Sequence, residues 1–152
     1  MRSKGFSLIE MLVVLILIGF SISLITPSFS RFSKAVELKG AAKKISAILR
    51  YCRCEAVSKG KVYQVRFDTN LREVKVQPVE SIYSLPQGVQ IKEVQMASVQ
   101  STTDLPLIEF YPNGGSSGGA ILLDSQGPGG YKINVHFLTG VVEVEKVESS
   151  GR

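Results

Sequence analysis

Residues 4–11 read Lys-Gly-Phe-Ser-Leu-Ile-Glu-Met, and leucine, isoleucine and valine then dominate the chain as far as residue 25. The twenty residues from Phe6 to Ile25 carry a single charge, that of Glu10. As an α-helix such a run is roughly 30 Å long, which matches the hydrocarbon core of a bilayer. The sequence therefore predicts a helix that can span a membrane.

Glu10 lies inside this apolar run and not at its edge. A charged side chain at the centre of a spanning helix costs about 2.5 to 3.5 kcal/mol on insertion scales, so such a residue usually serves a function and has a partner. We therefore expect Glu10 to meet a positive group.

Two ordinary explanations of the segment fit less well. Arg2 and Lys4 followed by an apolar run are typical of a secretory signal peptide, but such a peptide has no acid in its apolar region and ends in a small-residue cleavage site. The sequence has no small-residue cleavage site near Ile25, Thr26 and Pro27. An uncleaved membrane anchor accounts for the length and leaves Glu10 unexplained.

The run from Gly5 to Glu10, with Met-Leu-Val-Val after it, resembles the class III signal of type IV pilins and type II secretion pseudopilins. The resemblance implies that a membrane aspartic peptidase cleaves between Gly5 and Phe6 on the cytoplasmic side. It also implies that the new Phe6 amine is methylated and that the apolar helix is retained. Glu10 would then pair with the Phe6 amine of a neighbouring subunit, and such a pair would fix the stagger between helices.

The chain length leaves room for one small domain beyond this segment. The predicted divisions are a leader at 1–5 that is removed, a transmembrane part of the N-terminal helix at 6–26, a periplasmic part of that helix at 27–59 and an antiparallel β domain at 60–152. The net charge of +5 falls to +3 by side chains without the leader. So small an excess does not by itself indicate nucleic-acid binding.

Helical periodicity continues beyond Pro27 to about Ser58, and Gly60 is the predicted stop. Pro27 removes one backbone hydrogen bond, so we expect a bend near residues 23–27, as pilin-like proteins also have. The predicted apolar stripe consists of Phe32, Val36, Ile45, Ile48, Leu49, Cys52 and Ala56. The basic residues of this segment are Lys34, Lys39, Lys43, Lys44, Arg50 and Arg53, interpreted as a solvated face or, alternatively, as a contact with anionic lipid or an acidic neighbour.

Catalytic and metal sites find little support in the sequence. Cys52 and Cys54 point about 200° apart on a helix and cannot easily form a disulfide, and His136 is the sole histidine. We therefore predict no enzyme activity, no metal and no cofactor. Residues 113–119 form a glycine-rich loop without the lysine of a phosphate-binding loop, so they are interpreted as a flexible connection.

After Gly60 the periodicity changes from 3.6 to 2. A hairpin is predicted at 63–76, a strand near 89–94, a loop at 95–104 and further strands near 120–123, 131–137 and 141–147. Residues Ile133, Val135 and Phe137 are expected to share one face. The segment between Pro78 and Pro86 has no clear pattern.

The last third, with Phe110-Tyr-Pro-Asn-Gly114 and Thr139-Gly-Val-Val142, resembles the C-terminal domain of pseudopilin H and its minor-pilin relatives. That resemblance implies an α+β fold in which a long N-terminal helix, its lower half in the membrane, packs on a C-terminal domain of antiparallel β-strands. It implies a structural subunit in the inner membrane, single-pass, with its C-terminal domain in the periplasm.

The expected function is that of a minor pseudopilin in the periplasmic pseudopilus of type II secretion. The expected partners are the major and tip pseudopilins, the prepilin peptidase and N-methyltransferase, and the inner-membrane assembly platform. A minor type IV pilin that primes pilus assembly is the alternative. A DNA-binding pilin fits less well, because Glu143, Glu145 and Glu148 make the tail acidic.

Overall fold

The computed structural model describes residues 7–96, 105–125 and 129–147, and for residues 23–32 it describes the backbone alone. Gly5 and Phe6 lie outside the described residues. The chain divides into two compact units, Met1–Ser33 and Lys34–Arg152. Each unit is described separately below.

One helix and eight strands make up the described structure. The helix α1 spans Leu8–Lys59. The strands, in chain order, are β1 (Tyr63–Asp68), β2 (Glu73–Gln77), β3 (Ser81–Ser84), β4 (Val89–Met96), β5 (Leu107–Phe110), β6 (Gly119–Ser125), β7 (Gly130–Val135) and β8 (Val142–Val147). The α+β fold predicted from the sequence is confirmed.

In the first unit, every described side chain of residues 7–22 is exposed. The apolar residues of this segment include Leu8, which is 92% exposed, and Phe20, which is 71% exposed. Among the residues that the structure describes, no helix is both long and apolar enough to cross a bilayer.

In the second unit, α1 buries one stripe of side chains against the strands. The buried residues are Leu38, Ala41, Ala42, Ile45, Leu49, Cys52 and Ala56. Their three- and four-residue spacing keeps them on one face of the helix. The predicted stripe was right from Ile45 onward and wrong at Val36, which is 54% exposed because it lies about 200° around the helix from Leu38.

The end of the helix agrees with the sequence. Gly60 has a φ of 61°, the left-handed conformation that a glycine adopts at little cost just beyond a helix. Near this end, the Glu55 carboxylate contacts Lys59 Nζ at 2.6 Å and accepts a hydrogen bond from the Tyr63 hydroxyl at 3.3 Å. The hydrogen bond from Lys59 is the main reason that the pKa of Glu55 is lowered. These contacts join the end of α1 to β1.

The strands form two antiparallel sheets of four strands each. The first has the order β3-β2-β1-β5 and the second the order β4-β6-β7-β8. The predicted hairpin at 63–76 is confirmed: β1 pairs with β2, and the Asp68 carboxylate in the turn accepts from the amides of Asn70 and Leu71 at 3.1 and 2.9 Å. The strand β3 was not predicted, because the sequence between Pro78 and Pro86 has no clear pattern.

The core lies where the helix stripe meets the inner faces of the two sheets. The largest fully buried side chains on the strands are Tyr63, Phe67, Phe110, Ile108, Ile121, Leu123 and Ile133. One predicted face needs correction. Ile133 and Val135 are buried, but β7 ends at Val135 and Phe137 is 56% exposed in the turn that follows.

Candidate functional site

The N-terminal motif is the first candidate site, and of its three predicted residues the structure describes only Glu10. Glu10 lies in the first turn of α1, where its amide donates to the Ser7 carbonyl at 3.0 Å. Its side chain is exposed and forms no ion pair with any described residue. The described structure therefore assigns the Glu10 carboxylate no ionic partner within residues 7–96, 105–125 and 129–147.

The apolar surface around Glu10 is the second feature of this segment. Leu8, Ile9, Leu15 and Leu17 are each at least 60% exposed. Exposed apolar surface of this extent is typical of a site that contacts a membrane or another protein. Pro27 lies within α1, and the bend expected near residues 23–27 remains a prediction.

Two arginines on α1 have roles that the sequence did not indicate. Arg53 Nε donates to the carbonyl oxygens of Thr139 at 2.8 Å and Gly114 at 3.3 Å, and Arg50 Nη2 donates to that of Val142 at 3.0 Å. They were predicted to lie on a solvated basic face or at a contact with lipid or a neighbour. The prediction missed these contacts: both side chains bind carbonyl groups of their own domain, although Arg50 is also exposed, as a solvated face requires.

The glycine-rich loop after β5 is packed and hydrogen-bonded, which corrects the prediction of a flexible connection. Ser116 and Ser117 are buried, and their hydroxyls bond to the His136 carbonyl and the Glu109 amide, each at 3.0 Å. The amides of Gly115 and Gly118 already donate to side chains of the same loop. Donors occupied in this way are not available to a phosphate.

The cysteines and the histidine do not form a reactive set in the described structure. Cys52 is buried, as its place in the apolar stripe predicted, and Cys54 is exposed. Burial raises the pKa of the Cys52 thiol to about 12, so the reactive thiolate is scarce at neutral pH. His136 is exposed just after β7. Within 7–96, 105–125 and 129–147 no cluster of side chains suits a metal ion.

A family model for the prokaryotic N-terminal methylation motif matches residues 1–26. This match covers Gly5, Phe6 and Glu10, and it supports anchoring of the chain in the inner membrane through a prepilin-type signal.

Two solved structures share the fold over most of the domain. The minor pseudopilin EpsH from the type 2 secretion system of Vibrio cholerae superimposes with a TM-score of 0.58 at 14% identity, over 72% of this chain and 96% of that one. The type IV minor pilin FimU of Pseudomonas aeruginosa gives a TM-score of 0.55 at 17% identity, over 75% and 92%. Likeness at these identities establishes the fold alone.

A protein of similar sequence establishes the family as well as the fold. Type II secretion system protein H of Xanthomonas campestris pv. campestris is 30% identical over 139 residues, which cover 91% of this chain and 81% of that protein. The fold, the N-terminal motif and this relative agree: the chain belongs to the type II secretion system protein H family of minor pseudopilins, which are structural proteins and not enzymes.

Proposed function

We propose that this chain is a minor structural subunit of a periplasmic pseudopilus, inserted from the inner membrane. The observation that carries the proposal is the exposed apolar surface of residues 8–22 with the exposed Glu10 near its start. A helix with this surface is suited first to lipid and then to the helices of other subunits. The proposed divisions are a removed leader at 1–5, a membrane part at 6–26, a periplasmic helical part at 27–59 and the β domain at 60–152.

Processing and assembly are proposed to depend on three residues. A prepilin peptidase cleaves between Gly5 and Phe6, and the Phe6 amine is methylated. In the filament Glu10 pairs with the Phe6 amine of a neighbouring pseudopilin. Pairing offsets the cost of a carboxylate in apolar surroundings, and because one amine meets one carboxylate it sets the stagger between neighbouring helices.

The other proposed partners are the major and tip pseudopilins and the assembly platform of the inner membrane. Pro27 is proposed to bend the helix between its membrane part and the part that packs on the β domain. The acidic surface of β8, with Glu143 and Glu145 exposed, favours protein partners over nucleic acid.

The first experiment separates secretion from piliation. The gene is deleted, and known exoproteins are quantified in medium and periplasm while surface pili are scored in the same strain. Exoproteins that stall in the periplasm while pili persist support the proposal. Normal secretion with loss of pili would instead identify a minor type IV pilin.

The second experiment tests Glu10 with matched variants. Glu10→Leu and Glu10→Gln remove the charge, while Glu10→Asp keeps it on a shorter side chain. We expect all three to be cleaved and membrane-bound, and only the aspartate variant to retain some incorporation into filaments. Filament fractions that contain Glu10→Gln at the wild-type level would refute the proposed ion pair.

A further inference from the structure

The glycine-rich loop contains a dipeptide whose chemistry the proposed function does not use. Asparagine occurs in this chain at Asn70, Asn113 and Asn134, and only Asn113 is followed by a glycine, Gly114. An asparagine before a glycine deamidates readily in an unfolded chain, because the glycine has no side chain to hinder ring closure between the two residues. Asn113 is exposed, so water reaches it. The dipeptide is therefore a candidate site of spontaneous modification.

Deamidation at this dipeptide takes place in two steps. In the first, the Gly114 nitrogen loses its proton and attacks Cγ of Asn113. A C–N bond forms, the Cγ–Nδ2 bond breaks, and Nδ2 leaves as ammonia once it has taken up a proton. In the second step, water opens the cyclic imide at either of its carbonyl groups and yields aspartate or isoaspartate. The reaction therefore starts only when the N–H group of Gly114 can be deprotonated.

In the folded loop this N–H group has a hydrogen-bond acceptor. The Gly114 amide donates to the Tyr111 carbonyl oxygen at 2.9 Å, and the Tyr111 amide donates to the Gly115 carbonyl oxygen at 2.9 Å. An amide proton that is bonded in this way exchanges with solvent only when the local structure opens. Because attack on Asn113 begins with the loss of the same proton, the fold should slow proton exchange and deamidation together.

The side chain of Asn113 is also held within the loop. Its Oδ1 atom accepts a hydrogen bond from the Gly115 amide at 3.0 Å, which is the local pattern that asparagine side chains form in turns. Gly115 is itself buried. Both reacting groups therefore have hydrogen-bond partners inside the loop, and opening of the loop releases them.

Arg53 connects this loop to the helix. Its Nε atom donates to the Gly114 carbonyl oxygen at 3.3 Å and to the Thr139 carbonyl oxygen at 2.8 Å. A Cβ atom at Gly114 would lie 3.9 Å from Arg53 Nη2, so the guanidinium packs close to this residue. Because the loop cannot open at Gly114 without disturbing these contacts, Arg53 stabilises the closed state.

We propose that Asn113–Gly114 is a latent deamidation site that the folded loop protects, and that Arg53 is a positioning residue that keeps the loop closed. The native domain then reacts slowly, and a locally opened or unfolded chain reacts fast. Isoaspartate adds one atom to the main chain between residues 113 and 114, so a reacted chain would not keep the full set of hydrogen bonds at Gly114. The reaction does not depend on assembly and can be tested apart from the proposed function.

Peptide mapping of the full chain tests the proposal. Wild-type protein is incubated at pH 8 in detergent micelles, with and without urea at an unfolding concentration. Conversion of Asn113 to aspartate and isoaspartate is followed by mass spectrometry, and hydrogen exchange of the Gly114 amide is followed by NMR. Asn70 is the internal control, because it is also exposed in a turn but is followed by a leucine.

Four variants are compared with the wild type under native conditions. Arg53→Met removes both hydrogen bonds to carbonyl groups, whereas Arg53→Lys keeps a charged donor. Lys43→Met changes an exposed basic residue of the same helix. Leu49→Ala removes a fully buried side chain of that helix and so destabilises the whole domain. This last variant separates local opening of the loop from a general loss of stability.

We expect Asn113 to convert several-fold faster in the unfolded wild type than in the native protein, while Asn70 stays slow in both. Arg53→Met should raise the native conversion rate several-fold, together with the exchange rate at Gly114. Arg53→Lys should lie between Arg53→Met and the wild type. Lys43→Met and Leu49→Ala should match the wild type as long as the domain is folded.

Two results would overturn the proposal. Equal conversion rates in native and unfolded wild type would show that the loop does not protect Asn113, and this comparison holds even if Arg53→Met fails to fold. Native conversion in Arg53→Met no faster than in Leu49→Ala would show that Arg53 has no specific role in closing the loop. In either case the secretion and piliation phenotypes of the deletion strain, and with them the proposed function, are unaffected.

Discussion

Arg53 Nε lies 2.8 Å from the carbonyl oxygen of Thr139, so that a side chain of the long helix is bonded to a turn 86 residues further along the chain. The same nitrogen lies 3.3 Å from the carbonyl oxygen of Gly114. One guanidinium thereby joins the helix to two turns that close different parts of the β domain. Without this contact the turn between β7 and β8 would lose its hydrogen bond to the helix.

Removing the Arg53 guanidinium should destabilise the domain. Hydrogen bonds to a charged group each contribute about 1.5 to 3 kcal/mol, and those of Arg53 are partly exposed. We therefore expect Arg53→Met to lower the free energy of unfolding by about 2 kcal/mol. The measurement is urea unfolding of the full chain in detergent micelles, followed by tyrosine fluorescence. Lys43→Met, at an exposed position of the same helix, is the control and should stay within about 0.5 kcal/mol of wild type. Equal losses in both variants would contradict the role assigned to Arg53.

Because Gly140 has no side chain, the turn between β7 and β8 can approach Arg53 closely. A Cβ atom at Gly140 would lie 2.8 Å from the Gly114 carbonyl oxygen and 3.1 Å from Arg53 Cδ, whereas a Cβ at Gly60 would meet nothing within 4 Å. Both glycines have a φ of 61°. Gly60→Ala should therefore cost only the left-handed strain, about 1 to 2 kcal/mol. Gly140→Ala should cost more, because its methyl group also displaces a neighbour. Similar melting temperatures for the two variants would show that the space at Gly140 is unimportant.

The helix stripe should contribute strongly to stability where it is buried. Leu49 is fully buried, so Leu49→Ala is expected to lower the free energy of unfolding by about 2 to 5 kcal/mol through lost apolar contact and the cavity left behind. Val57→Ala is the control, since Val57 is on the same helix and 51% exposed. The comparison uses the same urea titration. A loss at Val57 as large as that at Leu49 would argue against the assignment of the buried face.

The two cysteines should differ in reactivity. Cys54 is exposed, while Cys52 is buried with its pKa raised to about 12. Because a thiol reacts as the thiolate, we expect one thiol per native chain to react with a disulfide reagent at pH 8 and two after denaturation. Cys54→Ser should abolish the native reaction, and Cys52→Ser should leave it unchanged. Since the raised pKa disfavours the charged form in the folded state, Cys52 should destabilise the fold only as the pH rises past the ordinary thiol pKa.

Local pattern was sufficient to predict much of the fold. The end of the helix near Gly60, the β1–β2 hairpin and the strand at Val89 follow from periodicity and turn residues within short windows. The strand β3 escaped prediction because Ser81-Ile82-Tyr83-Ser84 is short and mostly exposed. It is a strand because β2 offers it a hydrogen-bonding edge.

The sequence by itself determined the N-terminal methylation motif at residues 1–26, because the roles proposed for Gly5, Phe6 and Glu10 depend only on their spacing along one chain. Only the tertiary structure decided what the arginines of the helix do. In the sequence, Arg53 is one of several basic residues on a predicted helix. Its hydrogen-bond partners Gly114 and Thr139 are 61 and 86 residues away along the chain. No local pattern encodes those contacts, since they arise when two sheets and a helix bury a common core and bring distant carbonyls within reach of one side chain.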